Sequence, residues 1–206
     1  MARYLMTHSL LSSWLYAIKD DPYEDATTER DKYAEFLDVL NRVPTPPTEA
    51  MQDGLDFEEL VSSIANGAEW ETDKDHRWYV AASKVAEIVR GGQFQFKAKK
   101  PVTIGNMHYL LYGRLDVLKA GEISDIKFSK SYDRGKYFDS TQHPLYLELI
   151  PEAERFNYLV SNGTDVWTES YTRDETRSIL PVIADFTDWV KAQGLFPIFA
   201  EKWAAL

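Results

Sequence analysis

Residues 107–128 confine the fold more tightly than any other stretch of this chain. MHYLLYGRLDVL (107–118) and EISDIKF (122–128) are rich in apolar, β-branched and aromatic residues, with Lys119-Ala120-Gly121 between them. Two such runs joined by a short Gly-containing turn read as a hairpin. With the loop centred on Ala120 and Gly121, Asp116 lies directly opposite Asp125. Lys127 is two residues further on and shares the face of Asp125, while Ile126 and Phe128 turn to the other face and into a core. Like charges directly opposite each other destabilise a sheet. A bound cation is the simplest remedy, and hard carboxylate oxygens favour Mg2+ or Mn2+ over softer metals. Two carboxylates and an ammonium on one hairpin face suit a divalent ion held against a phosphate.

The rest of the chain reads as helices and short strands around this hairpin. LLSSWLYAI (10–18) sets Leu10, Leu11, Trp14, Leu15 and Ile18 at helical spacing, and an acidic turn with Pro22 follows. TERDKYAEFLDVLNRV (28–43) places Tyr33, Phe36, Leu37 and Leu40 on one helical face. VPTPPT (43–48) is a stiff connector, because proline fixes φ and lacks an amide donor. It divides a helical arm, residues 1–47, from a core of residues 48–206 within one domain. A helix over 54–65 carries Glu58 and Glu59, and another spans about 73–90. FQFKAKK (94–100) and PVTI (101–104) read as two short strands. A polar, basic and aromatic loop, FSKSYDRGKYFDST (128–141), precedes a helix with Pro144 in its first turn. Asn162-Gly163 marks a second hairpin, and one or two helices close the chain.

Composition narrows the function. The 206 residues contain no cysteine, which excludes disulfides, zinc ribbons and iron–sulfur clusters. His8, His76, His108 and His143 show no metal-ligand spacing. The net charge of −10 argues against a general nucleic-acid binder. Residues 81–140, however, hold 11 Lys or Arg against 6 Asp or Glu, so this segment is +5 and the remainder −15. Lys97, Lys99, Lys100, Lys119, Lys130, Arg134 and Lys136 surround the hairpin, which implies a positive cleft floor on an acidic body. No signal peptide and no bilayer-spanning segment is expected, so a cytoplasmic protein without membrane contact is the expectation.

Three ordered motifs carry a resemblance. They are Gly113-Arg-Leu-Asp116, Ile123-Ser-Asp125-Ile-Lys127 and Gln142-His-Pro-Leu-Tyr146. Their order and spacing resemble the PD-(D/E)XK nuclease superfamily, RecB-like exonuclease branch, over roughly residues 50–170. The resemblance implies a restriction-endonuclease-like α/β fold, a central mixed sheet flanked by helices, here with the N-terminal helical arm. It implies Asp116 and Asp125 as Mg2+ ligands, with the Ile126 carbonyl as a third. Glu58 completes the shell directly or through water, with Glu59 as the alternate. Lys127 orients or activates the attacking water. Gln142 and Tyr146 sit one turn apart facing the site, where they contact the DNA strand or organise the acids. Apart from the resemblance, the basic and aromatic loop residues Lys130, Tyr132, Arg134 and Tyr137 are expected to grip phosphates or stack bases at the site mouth.

The implied activity is Mg2+-dependent hydrolysis of DNA phosphodiesters, with Mn2+ as a substitute ion, by an exonuclease of phage or prophage recombination. A single-strand annealing or recombination protein is the implied partner beside DNA. The rival readings are a structure-selective or restriction-type endonuclease and a non-catalytic DNA- or protein-binding module that keeps the fold.

Overall fold

The computed structural model describes residues 3–19, 31–68 and 74–205. The acidic turn around Pro22 lies outside them. Strand β1 (Arg3–Met6) leads into helix α1 (His8–Ile18), and α2 (Lys32–Leu40), α3 (Glu49–Ala65) and α4 (Tyr79–Val89) follow. Strands β2 (Gln93–Ile104), β3 (Met107–Lys119) and β4 (Glu122–Phe128) come next, then α5 (Gln142–Leu149), β5 (Arg155–Ser161), β6 (Val166–Thr172), α6 (Leu180–Ala192) and α7 (Phe196–Lys202). The result is a six-stranded mixed sheet with helices on both faces. No helix among the described residues is long and apolar enough to cross a membrane.

Several boundaries differ from the sequence reading. The strand expected to break at Pro101 is continuous over twelve residues. Pro101 is tolerated because β2 pairs with β3 alone, leaving one edge of the strand without ladder partners to disappoint. Helix α3 starts five residues earlier than expected, at the point where the Thr48 hydroxyl accepts the Met51 amide. Helix α4 starts six residues later than expected, at Tyr79. The N-terminal helices are present, but they are packed into the principal core: Leu10, Leu11, Trp14, Phe36 and Leu40 are buried there with Phe186 and Phe199. Strand β1 has no counterpart in the sequence reading. It pairs parallel with residues 108–111 of β3, and its other edge meets the chain's end through Leu5 N to Trp203 O and Ala205 N to Arg3 O.

The organisation of β3 creates the site. Strand β2 covers one edge of β3 from Met107 to Leu118. The opposite edge is shared. β1 holds residues 108–111 and β4 holds 117–119, which leaves 112–116 unpaired between them. Helix α5 fills that gap. Tyr146 donates its hydroxyl to the Arg114 carbonyl at 3.1 Å, fastening the helix to the strand at this level. A Cβ on Gly113 would lie 2.7 Å from the Tyr146 ring and 2.8 Å from Leu149, so glycine is what admits the helix.

Two cores sandwich the sheet. The larger contains Tyr109, Leu111, Leu115, Ile123, Phe156 and Tyr158. The smaller lies under α3 and α4 and contains Val117, Ile126 and Leu159. In a regular strand, residues two apart share a face. Yet Leu115 and Val117 belong to different cores, and so do Phe96 and Phe94 opposite them. Both strands therefore reverse face at one level, Gln95 and Asp116.

Candidate active site

The turn between β3 and β4 is the two-residue one the sequence predicts. Ala120 and Gly121 both take positive φ, 47° and 80°, and Lys119 pairs with Glu122. Ladder pairing extends to Val117 and Ser124 and then stops. The expected Asp116–Asp125 cross-strand pair is thus not formed. The strands fork at that level, and the Asp116 side chain bridges the fork: its Oδ2 accepts the Ile126 amide at 2.8 Å. An extended residue sends its N–H and C=O toward the same edge. The Ile126 carbonyl therefore faces the fork too, as a metal ligand there would have to.

Asp125 is 3% exposed and carries the most heavily used carboxylate of the site. Its Oδ1 accepts the Gln142 side-chain amide. Its Oδ2 is buried and paired with the Lys127 ammonium, whose Nζ lies 2.7 Å from it. A buried carboxylate oxygen is costly unless it is paired, and Lys127 supplies that partner. Burial alone would lower the Lys127 pKa, but the charges and hydrogen bond of Asp125, with Asp116 behind, outweigh it and raise it. Lys127 is thereby held as an ammonium at neutral pH.

Asp116 lies well above the usual carboxylate range, first because it is buried and then because Asp125 and Glu58 repel its charge. The Ile126 amide and Lys127 offset this only partly. Glu58, on α3, is also raised, by burial first, with Arg114 opposing and Asp125 adding. Helix α3 brings the expected acid into charge–charge reach of both aspartates, while Glu59 points to solvent. Glu58 Oε1 accepts the Gln95 side-chain amide. Among the described residues no three His, Cys, Asp or Glu side chains converge as a ready-made metal cage. The available donor set is two aspartates, a backbone carbonyl and a nearby glutamate. It is all hard oxygen, with three carboxylates against the Lys127 ammonium and the Arg114 guanidinium, which fits Mg2+ or Mn2+.

The loop after β4 is anchored by a residue the sequence reading did not single out. Glu169 on β6 is 8% exposed and accepts from Tyr132 OH at 2.6 Å, Tyr137 N at 3.0 Å, Gly135 N at 3.1 Å and Tyr171 OH. Burial raises its pKa, but these four donors prevail and hold it below the usual range. The Tyr132 hydroxyl is therefore spent internally, its ring resting 5.4 Å from Trp167. Tyr137 stacks on Tyr158 at 4.2 Å. Lys130 and Arg134 remain exposed.

Helix α5 is pinned at both ends. His8 Nδ1 meets Thr141 Oγ1 at 2.8 Å at its start. At its end the Arg173 guanidinium donates to the Leu147, Ile150 and Ala153 carbonyls at 2.6–3.0 Å. The Leu147 carbonyl is in the last turn of the helix, where it lacks an intrahelical partner; Ile150, which also accepts the Ala153 amide, and Ala153 lie just beyond it. Gln142 and Tyr146, one turn apart, are thereby held against Asp125 and the Gly113 gap. Neither Glu169 nor Arg173 leaves a local sequence signal.

No protein-family model and no curated protein matches the chain. A solved structure described as "Crystal structure of SSO0001" is similar at 16% identity over 76% of this chain and 86% of that chain, with a TM-score of 0.43. That likeness is too distant to speak to activity.

Proposed function

We propose that this protein is a metal-dependent deoxyribonuclease that hydrolyses phosphodiester bonds from a DNA end. The observation that carries the reading is the grouping at the β3–β4 fork of Asp116 with the buried Asp125, whose Oδ2 has the Lys127 ammonium 2.7 Å away. Asp116, Asp125 and the Ile126 carbonyl would hold Mg2+, with Glu58 directly or through water. When bound, the ion neutralises the scissile phosphate and lowers the pKa of a water. Lys127, kept protonated by Asp125, orients the attacking water and offsets charge on the phosphorane-like transition state. Gln142 fixes the Asp125 carboxylate, and Tyr146 fixes the backbone at Arg114. Lys130 and Arg134, exposed on a loop tethered by Glu169, contact phosphates of the strand. The preference for an exonuclease rests on similarity of the Gln142–Tyr146 motif to the RecB-like branch. A phage or prophage recombination role and an annealing partner follow from the same similarity.

End-labelled linear DNA digested beside covalently closed circles, with Mg2+, Mn2+ or EDTA, tests the reading. The expected result is metal-dependent loss of the linear substrate alone, abolished in Lys127→Ala. Cleavage of circles would make it an endonuclease. DNA binding without cleavage of either substrate would make it a binding module.

A further inference from the structure

Gln95 takes a left-handed backbone, φ 51°, in the middle of a strand. The other non-glycine residues described with positive φ are Arg42, just past the end of α2, and Ala120, in the hairpin turn, where left-handed geometry reverses the chain. Gln95 reverses nothing at a chain end. A left-handed L-residue costs about 1 kcal/mol or more, and glycine or asparagine would bear it more easily. Glutamine adds a primary amide on a two-methylene stem. That amide donates to Glu58 Oε1, 37 residues away on α3.

The position of Gln95 is as telling as its conformation. It lies across the β2–β3 ladder from Asp116, between the Phe94–Val117 and Phe96–Leu115 pairs, where both strands change face. One irregularity therefore serves two acids. On β3 it turns Asp116 into the fork. On β2 it turns Gln95 toward α3. Two aspartates repel the Glu58 charge and Arg114 attracts it. Without a tether its side chain would swing toward Arg114 and water.

We propose that Gln95 is the positioning residue for Glu58, holding Oε1 so that Oε2 is presented, directly or through water, to a divalent cation held by Asp116 and Asp125. This rests on the nuclease reading. Gln95 does not touch the substrate or the cation; it acts through Glu58.

Calorimetric titration of Mn2+ into wild type, Gln95→Ala, Gln95→Gly, Glu58→Gln and both double variants tests it, alongside cleavage rates and thermal melts. Gln95→Ala and Gln95→Gly are expected to weaken Mn2+ binding about tenfold, as loss of a partner behind a metal ligand does. Neither substitution should weaken it further in the Glu58→Gln background, because residues acting as a unit are not additive. Gln95→Gly keeps the left-handed backbone without strain, so folding is preserved while the amide is lost. Wild-type affinity in Gln95→Gly, or full additivity with Glu58→Gln, would overturn the positioning role while leaving the nuclease reading intact. Absence of Mn2+ binding and of cleavage in wild type would overturn both.

Discussion

Asp116 is a residue placed against its own stability. It is half-buried, repelled by Asp125 and Glu58, and supported by one backbone amide and a lysine that is already committed to Asp125. Replacing it by asparagine removes the charge and keeps an oxygen for the Ile126 amide. We expect Asp116→Asn to abolish metal-dependent cleavage and to raise the melting temperature. In a chain of this size each 1 kcal/mol of relieved repulsion is worth about 2–4 °C. A differential scanning melt at pH 7.5 without divalent ions checks this; an unchanged or lower midpoint would mean that the site carries no electrostatic frustration. Functional sites are where such locally unfavourable choices concentrate.

At the scale of the element, α5 is the part most dependent on distant residues. It has eight residues, and Arg173 satisfies carbonyls at and just beyond its end. Hydrogen bonds to a charged group contribute about 1.5–3 kcal/mol. Arg173→Ala is expected to lower stability in urea by roughly that amount and to speed hydrogen exchange of the α5 amides. Arg173→Lys should not rescue it, because a compact ammonium cannot span three carbonyls. If exchange in α5 were unaltered, the cap would be dispensable and Gln142 would be held by Asp125 alone.

Across the whole molecule, two histidines link stability to pH. His143 is 4% exposed and pushed down to about 4, mainly by burial, with Glu169 opposing. His8 is pushed down to about 4 by burial and by the positive charges of Lys127 and His143. A histidine with a depressed folded pKa contributes no loss above about pH 6.5. Stability then falls as pH drops toward 4, because the unfolded chain takes up the proton first. Asp116 and Glu58 are raised and act in the opposite direction, favouring the native state as pH falls. The histidine contribution is therefore best read as a difference. Between pH 7.5 and 4.5, His143→Asn is expected to lose roughly 2.5 kcal/mol less than wild type. Urea unfolding at a series of pH values checks this, and parallel curves would overturn it.

What the sequence determined by itself is what neighbouring residues settle. The β3–β4 turn, the shared placement of Asp125 and Lys127, the helix under Glu58 and the Asn162-Gly163 hairpin all follow from periodicity and turn chemistry over a dozen residues or fewer. The run of six strands did not emerge as cleanly. Pro101 reads as a boundary in sequence and is tolerated only because one edge of β2 is free, and β1 is four residues held extended by the open edge of β3 on one side and by residues 203–205 on the other. The face reversal at Gln95 and Asp116 was not legible either. Alternation in sequence assumes a regular pleat, and two separate cores pulling Leu115 and Val117 apart decide otherwise. The Gln95–Glu58, Tyr132–Glu169 and Arg173–α5 contacts span from 26 to 37 residues. Their energy comes from satisfying buried acids and carbonyls that exist only once the chain has folded, so only the tertiary structure could choose them.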